Sequence, residues 1–431
     1  MSSQTLPEGY DIAIVGAGIV GCSTALFLAR QGRRVAVFDR GGVSGEQSSR
    51  AWGFIRQQGR HPAEIPLATE AQKLWNGITE EFGADGTHYV REGILVPAQS
   101  AADEDLVNRN FAAAQDSGLK TVILSSRELA GKLPDLQGEW RCALYTPDDG
   151  HCEPPTSTLT VAKAARAAGA DILLNQLVTG FMMQNGQLHG LITRAGAVRA
   201  NTIVIAGGIG SRMLLKQLGY NFPVQIIRSS VARTSPVQPF TKLAMWGPKV
   251  SFRPRPDGSF TIGNGYRGVG TDYDLTLESL SNLRYFLPAF RRNYRLLRLT
   301  VGSDLARSFT DLFSGSQKYE ALQEPPVNSR KIEANLAEFR KMFPRVGALA
   351  LAECWAGRLD ITPDLIPIID RMTKHGNLFV ACGFSGHGFA LGPVVGQQLC
   401  RWITEGAPSI DLSKFCHARF ANGDFELIKA I

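Results

Sequence analysis

Apolar runs without polar alternation, at 12–15, 202–206 and 378–381, read as short strands buried on both faces. A mainly apolar helical pattern covers 19–31, and 33–38 is a further strand. Amphipathic periodicity predicts helices over 67–82, 104–117, 332–343 and 389–403. The stretch 277–297 has the same period, interrupted near Pro288. Pro154-Pro155 breaks the chain before a helix that runs to Ala168, with Thr156 or Ser157 as its cap. Strands are expected at 93–97 and 171–174, and 351–369 alternates like strands around Thr362-Pro363-Asp364. Asn185-Gly186 marks a hairpin between 177–185 and 188–195, and Asp257-Gly258 is a tight turn among the extended patterns of 225–233 and 249–263. Residues 41–52, rich in Gly and Ser, read as a loop, and Asp149-Gly150 as a turn. Residues 300–330 have no clean periodicity.

The first strand meets its helix through Gly16, Gly18 and Gly21, in G-x-G-x-x-G spacing. Such a turn uses the first glycine for a tight bend, the second to let backbone approach a pyrophosphate, and the third for close helix–strand packing. The amides opening the helix, at Ile19 and Val20, face the phosphates from its positive end. Asp39 ends the second strand, eighteen residues past Gly21, where a carboxylate accepts ribose hydroxyls, and Arg40 follows it. The competing reading is a glycine-rich turn with only a packing role.

A second strand–glycine turn–helix start appears at 202–211 and a third at 378–389, far from the first. The chain is therefore expected to be α/β. A Rossmann-like dinucleotide domain would be assembled from 1–60, 150–220 and 345–431. An α+β domain with a mixed or antiparallel sheet would come from 61–149 and 221–344. A compact NAD dehydrogenase would usually place its nucleotide fold in one block.

The 431 residues are enough for two or three domains, and at 44% hydrophobic and 20% charged the composition is that of an ordinary soluble globular protein. No apolar run reaches the roughly 20 residues that span a bilayer, and the first ten residues lack a signal-peptide pattern. A net charge of +7 suits an anionic ligand. The basic residues are dispersed, and a group such as 291–295 reads as a solvated helix face, so nucleic acid is not expected. Seven cysteines without a C-x-x-C pair fit reduced thiols in a cytoplasmic protein. His151-Cys152-Glu153 alternates sides of an extended segment, so no metal is assigned there.

In the order of its motifs the chain resembles the FAD-dependent D-amino acid oxidase superfamily, which includes glycine oxidase, sarcosine oxidase and its beta-type subunits, and opine oxidase subunits. The resemblance rests on residues 14–21, Asp39, Ser48-Ser49, Asp149-Gly-His-Cys-Glu-Pro154, Val204-Ile-Ala-Gly-Gly-Ile-Gly-Ser211, Trp355-Ala-Gly-Arg-Leu-Asp-Ile-Thr-Pro-Asp364 and Cys382-Gly-Phe-Ser-Gly-His-Gly-Phe389. It implies FAD, with Ser48 and Ser49 near the phosphates and ribityl chain, backbone contacts from Val178 to the adenine, and Ala206 and Gly207 at the middle glycine turn. Gly383, Gly386, His387, Gly388 and Phe389 would then bracket the pyrimidine end of the flavin. Relatives that tether flavin do so from a Cys six residues before the Pro of Thr-Pro-Asp. That position is Gly357 here, and Cys354 lies three residues too early, so non-covalent FAD is expected. Monomeric sarcosine oxidases place a carboxylate-binding Lys after the Gly-His-Gly-Phe run, where this chain has Ala390.

The resemblance implies oxidation of a C–N bond, with hydride passing to the flavin and an imine as product. No general base is obligatory. The first substrate-binding candidate is Arg56, just past the Ser-Ser pair, because a guanidinium grips a carboxylate bidentately. Arg358 is another, although alternation would turn it to the other face, and Arg253 and Arg267 follow. His387 is a flavin-edge candidate. Trp52, Phe54, Tyr266 and Trp355 form a possible aromatic wall, or plain core. Three functions stay open. The chain oxidises an amine or amino acid, with oxygen or an unknown redox partner as acceptor. It is the flavin subunit of a larger complex, a hetero-oligomer. Or it uses FAD on a substrate such as a 2-hydroxy acid.

Overall fold

The computed structural model describes residues 9–267, 271–293, 297–301, 305 and 324–426. Most of the segment 300–330, and part of the basic group 291–295, lie outside them.

Two sheets carry the architecture. The first has eight strands. Its central strand, Gly9–Val15, runs parallel to Gly196–Ile205 on one side and to Val35–Phe38 on the other. Asp171–Leu173 extends the parallel set beyond Val35–Phe38, and Leu378–Cys382 extends it beyond Gly196–Ile205. Ile368–Arg371 closes that edge antiparallel. All four residues of Val35–Phe38 are buried, as a strand covered on both faces requires. The hairpin Val178–Gln184 and Gln187–Thr193 packs onto the antiparallel first half of Gly196–Ile205, with Asn185 and Gly186 at its turn, φ 52° and 75°.

The helices Ile19–Arg30, Pro154–Ala167 and Gly388–Glu405 cover one face of this sheet and share a single apolar core. The helix Ile65–Phe82 joins that core rather than the second domain, to which the sequence boundaries assign it. Its Trp75 is fully buried and donates through Nε1 to the carbonyl of Ala390, 2.9 Å away.

The second sheet has ten strands. It is mostly antiparallel, with parallel pairings between Ala244–Trp246 and Ile94–Ala98 and between Thr271–Asp274 and Leu297–Thr300, so it is mixed as expected. The strand Leu351–Ile361 belongs here and not to the dinucleotide sheet. It pairs with Gln225–Thr234 from Gln225↔Ile361 to Thr234↔Leu351, and that long register fixes its membership. A phenylalanine cluster, Phe252, Phe260, Phe339 and Phe343, ties this sheet to the helix Ser329–Met342.

Local chemistry accounts for the remaining departures from expectation. Glu153, not Thr156 or Ser157, is the N-cap of Pro154–Ala167, because the two prolines occupy the first turn, where no amide is needed. The turn before Gly150 falls at Pro147-Asp148, and Gly150–His151 is itself a short strand. The helical stretch 277–297 breaks at Asn282, whose side chain bonds the carbonyl of Val224, while Pro288 lies inside the helix Leu283–Asn293. The 41–52 loop contains one helical turn, Gln47–Arg50. The seven cysteines are all free thiols.

Candidate active site

A cavity of about 420 Å³ runs from the first glycine turn, under the helix Gly388–Glu405, to the edge of the second sheet. At its first end the glycines have different neighbours. Gly16 sits at φ +108°, and a Cβ there would lie 2.4 Å from the carbonyl oxygen of Ala206. A Cβ on Gly21 would lie 1.9 Å from the carbonyl oxygen of Gly16. Gly18 is extended, and a Cβ on it would meet within 4 Å only the hydroxyl of Ser48, at 3.0 Å. The bare face of Gly18 therefore opens on the cavity, while the other two are closed by protein.

Asp39 holds this end together. Its Oδ2 accepts from the amide of Ala17 and its Oδ1 from the amide of Gly41, each at 2.8 Å. The carboxylate, acceptor-only when ionised, has further lone pairs on the cavity side. The helix Ile19–Arg30 has no side-chain cap of its own, and Ser48 supplies one from a distance by accepting from the amide of Ile19 at 3.0 Å. Arg40 is paired with Glu46, and both line the wall.

At the other end, Phe54–Ile55 pairs with Gly150–His151, and Trp52 meets Phe54 edge-on with centroids 5.9 Å apart. The guanidinium of Arg56 lies over Trp246, 4.2 Å from the ring centroid. Burial lowers its pKa to about 9, with the neighbouring Arg60 adding to the effect. Arg60 is likewise held below its ordinary range by burial. His387 pairs through Nδ1 with Oε1 of Glu64 at 2.9 Å. Burial, then Arg60, lowers the imidazole pKa further than Glu64 raises it. Burial pushes the Glu64 carboxyl up, but His387 and Arg60 outweigh it and leave Glu64 ionised. The Glu64 carboxyl thus fixes the orientation of the imidazole through Nδ1. Behind it, Asp149 is fully buried and pushed up to about 7 by desolvation, against the amide of Gln57 at 2.7 Å.

Most of the residues singled out from the sequence meet on this one wall: Gly16, Gly18, Ile19, Val20, Asp39, Arg40, Ser48, Ala206, Gly207, Gly386, His387, Gly388 and Phe389, with Arg56 and Arg358. Arg358 lines it despite the alternation argument, because four consecutive residues, Gly357 to Asp360, border the cavity. Three lie off it. Ser49 donates its hydroxyl to the carbonyl of Glu46. Val178 is buried in the core on the far face of the first sheet. Gly383, at φ +67°, shapes its turn by donating to Asp360 at 2.7 Å. Arg253 is buried against Glu153 at 2.5 Å, and Arg267 pairs with Asp103. Neither reaches the cavity. Tyr266 and Trp355 bond the carbonyls of Pro97 and Arg50 and are absent from the wall, whereas Trp52 and Phe54 are on it. The sequence reading missed Arg60, Glu64 and Trp246, although Arg60 continues the spacing of Arg56 by four residues.

A Rossmann-type sheet with its glycine turn, acid and switch-point cavity defines a dinucleotide-binding protein. The particular family follows from comparison: residues 11–402 match the family model described as FAD dependent oxidoreductase (DAO), and the chain belongs to that family. It is an FAD-dependent oxidoreductase. It is similar to sarcosine oxidase subunit beta of Arthrobacter sp, 23% identical over 96% of this chain and 92% of the relative. It is also similar to glycine oxidase of Bacillus subtilis, 24% identical over 90% and 92%. Among solved structures, L-amino acid deaminase from Proteus myxofaciens superposes with a TM-score of 0.88, at 25% identity over 96% of this chain and 94% of that one. The open face of Gly18, the helix amides and Asp39 fit the pyrophosphate and ribose of FAD. Among the described residues, no helix is long and apolar enough to cross a membrane.

Proposed function

We propose that this protein oxidises the carbon–nitrogen bond of an amino acid or a secondary amine bearing a carboxylate, with FAD held non-covalently. The observation that carries the carboxylate is Arg56. Its guanidinium is buried on the cavity wall, stacked on Trp246, and within 4.0 Å of no carboxylate among the described residues. A buried cation without a counter-ion is costly, and a substrate carboxylate supplies one. Ala390 leaves that end without the lysine that sarcosine oxidases use. When bound, FAD accepts a hydride from the carbon beside the nitrogen.

The chain's own groups then have defined work. Arg56 anchors the carboxylate and so orients the C–H bond. Trp52, Phe54 and Trp246 exclude water and pack the apolar part of the substrate. With Nδ1 of His387 held by Glu64, its Nε2 is the ring nitrogen left to meet the substrate amine. Gly16, Gly18, Asp39, Arg40 and Ser48 bind the pyrophosphate and ribose, while the turn around Gly386 and Gly388 meets the flavin. Gly357 supports non-covalent binding, since it borders the cavity where tethering relatives carry cysteine, and no cysteine is among the residues lining that wall.

The test is anaerobic titration of the yellow holoenzyme with D-, L- and N-alkyl amino acids, their decarboxylated amines and 2-hydroxy acids, read as loss of flavin absorbance. Bleaching by an amino acid with a free carboxylate is expected. Bleaching by 2-hydroxy acids alone, or by amines with no gain from the carboxylate, overturns the proposal. The likeness to a beta subunit favours a second reading, a flavin subunit within a hetero-oligomer, and gel filtration with and without co-expressed genomic neighbours separates the two. The free thiols support a cytoplasmic setting.

A further inference from the structure

We propose that Arg60 is a second ligand for the substrate carboxylate, closing with Arg56 a two-guanidinium clamp at the inner end of the cavity. The proposal rests on the carboxylate reading above. Arg60 lines the same wall as Arg56, is 8% exposed, and sits one short turn further along the chain. Gly59, at φ +65°, bends the backbone between them, so that Nε of Arg60 reaches the carbonyl oxygen of Arg56 at 3.3 Å.

One nitrogen of each guanidinium is unsatisfied. Nη1 of Arg56 and Nη1 of Arg60 are both buried and without a hydrogen-bond partner. Two acids lie near them without touching either guanidinium. Glu64, four residues past Arg60, directs Oε1 to His387 at 2.9 Å. Asp149 accepts at Oδ1 from the amide of Gln57, its Oδ2 is buried without a partner, and neither acid is within 4.0 Å of either guanidinium. Two buried cations therefore face one cavity with no contacting anion. A carboxylate offers two oxygens with about four acceptor positions, enough for both groups at once. The competing account gives Arg60 only a structural task, balancing the charge of Glu64 from a distance.

The probe is benzoate, a carboxylate on an apolar ring, with benzamide as its uncharged counterpart. Each is titrated into the holoenzyme and followed by perturbation of the flavin absorption band. Wild type should bind benzoate more tightly than benzamide. Arg60→Gln should weaken benzoate at least ten-fold, leave benzamide within two-fold, and keep wild-type FAD content and melting temperature. In reduction by the best amino acid, the same variant should raise the apparent dissociation constant while the limiting rate changes less than three-fold. If Arg60→Gln binds benzoate within two-fold of wild type while Arg56→Gln weakens it ten-fold, Arg60 is not a ligand and the carboxylate reading stands. If wild type does not prefer benzoate, or neither arginine matters, the carboxylate reading itself fails. Should Arg60→Gln not retain FAD, Arg60→Lys decides. Its ammonium keeps the charge but loses the planar fork, so benzoate should weaken at least three-fold with benzamide unchanged, and unchanged benzoate overturns the proposal.

Discussion

Alanine at Gly18 and alanine at Gly21 should damage this protein in opposite ways, although the two glycines belong to one motif. A Cβ on Gly21 would lie 1.9 Å from the carbonyl oxygen of Gly16 and 3.4 Å from Cγ2 of Ile14. Backbone must move to admit it, and overpacking of this kind costs about 1–3 kcal/mol. Alanine is otherwise about 1 kcal/mol better than glycine inside a helix, so the net loss should be up to about 2 kcal/mol and fall on the apoprotein. Gly18 is different. Its φ of −74° and ψ of 179° suit any residue, and a Cβ there meets only the Ser48 hydroxyl, which can rotate. As an N-cap, alanine in place of glycine costs up to about 1 kcal/mol. The cofactor, however, loses backbone contact at the pyrophosphate, and each charged hydrogen bond weakened there is worth about 1.5–3 kcal/mol. The assay is paired: urea unfolding of both apoproteins, and FAD titration of each by fluorescence quenching. Gly18→Ala should unfold within about 1 kcal/mol of wild type yet bind FAD at least about ten-fold more weakly. Gly21→Ala should be less stable before any FAD is added. A Gly18→Ala protein with wild-type FAD affinity, or a Gly21→Ala apoprotein as stable as wild type, would refute the division of labour.

Three further outcomes follow from the same geometry. Asp39→Ala should weaken FAD by about 1–3 kcal/mol and also destabilise the apoprotein, since two backbone amides lose their acceptor; unchanged affinity in the FAD titration counts against the ribose role. Acid or heat precipitation should leave all FAD in the supernatant, and yellow colour retained by the pellet would show a tether that the Gly357 argument excludes. The Asp149 carboxyl is pushed up to about 7 from 3.8, so the folded state holds its proton where the unfolded chain has released it. Its contribution to stability is therefore full below about 4 and is lost as pH rises to about 7. Asp149→Asn should gain on wild type between pH 4 and pH 7 in denaturant melts, and a constant difference across that window would mean that Asp149 does not titrate there.

The dinucleotide half was legible because its signals are local. Ile12, Val15, Gly16, Gly18, Gly21 and Asp39 lie within one strand–turn–helix–strand unit, and Gly16 and Gly21 are held by neighbours from that unit or from the equally marked turn at Ala206. The boundaries of the second half were not legible in the same way. Leu351–Ile361 alternates like a strand, but alternation does not say which sheet receives it. The answer lies in its pairing with Gln225–Thr234, more than a hundred residues earlier. Helix Ile65–Phe82 has the right period, yet only tertiary contacts, the shared core and the bond from Trp75 to Ala390 among them, show that it packs on the cofactor side.

The inner end of the site shows the same limit in chemical form. Arg56 was found by its place after the cofactor loop, and His387 by its glycine neighbours. Arg60 and Glu64 had no motif to mark them, because their significance is pairwise. Glu64 matters through an imidazole 323 positions away. A weak signal did exist. Arg56, Arg60 and Glu64 are spaced by four residues, the spacing that places charges on one helical face, and Gly59 and Pro62 forbid a regular helix there. Charges at helical spacing in a segment that cannot be a solvated helix need another reason to be there. The cavity supplies it: the irregular backbone turns both guanidiniums inward, where a surface helix would have turned them to water.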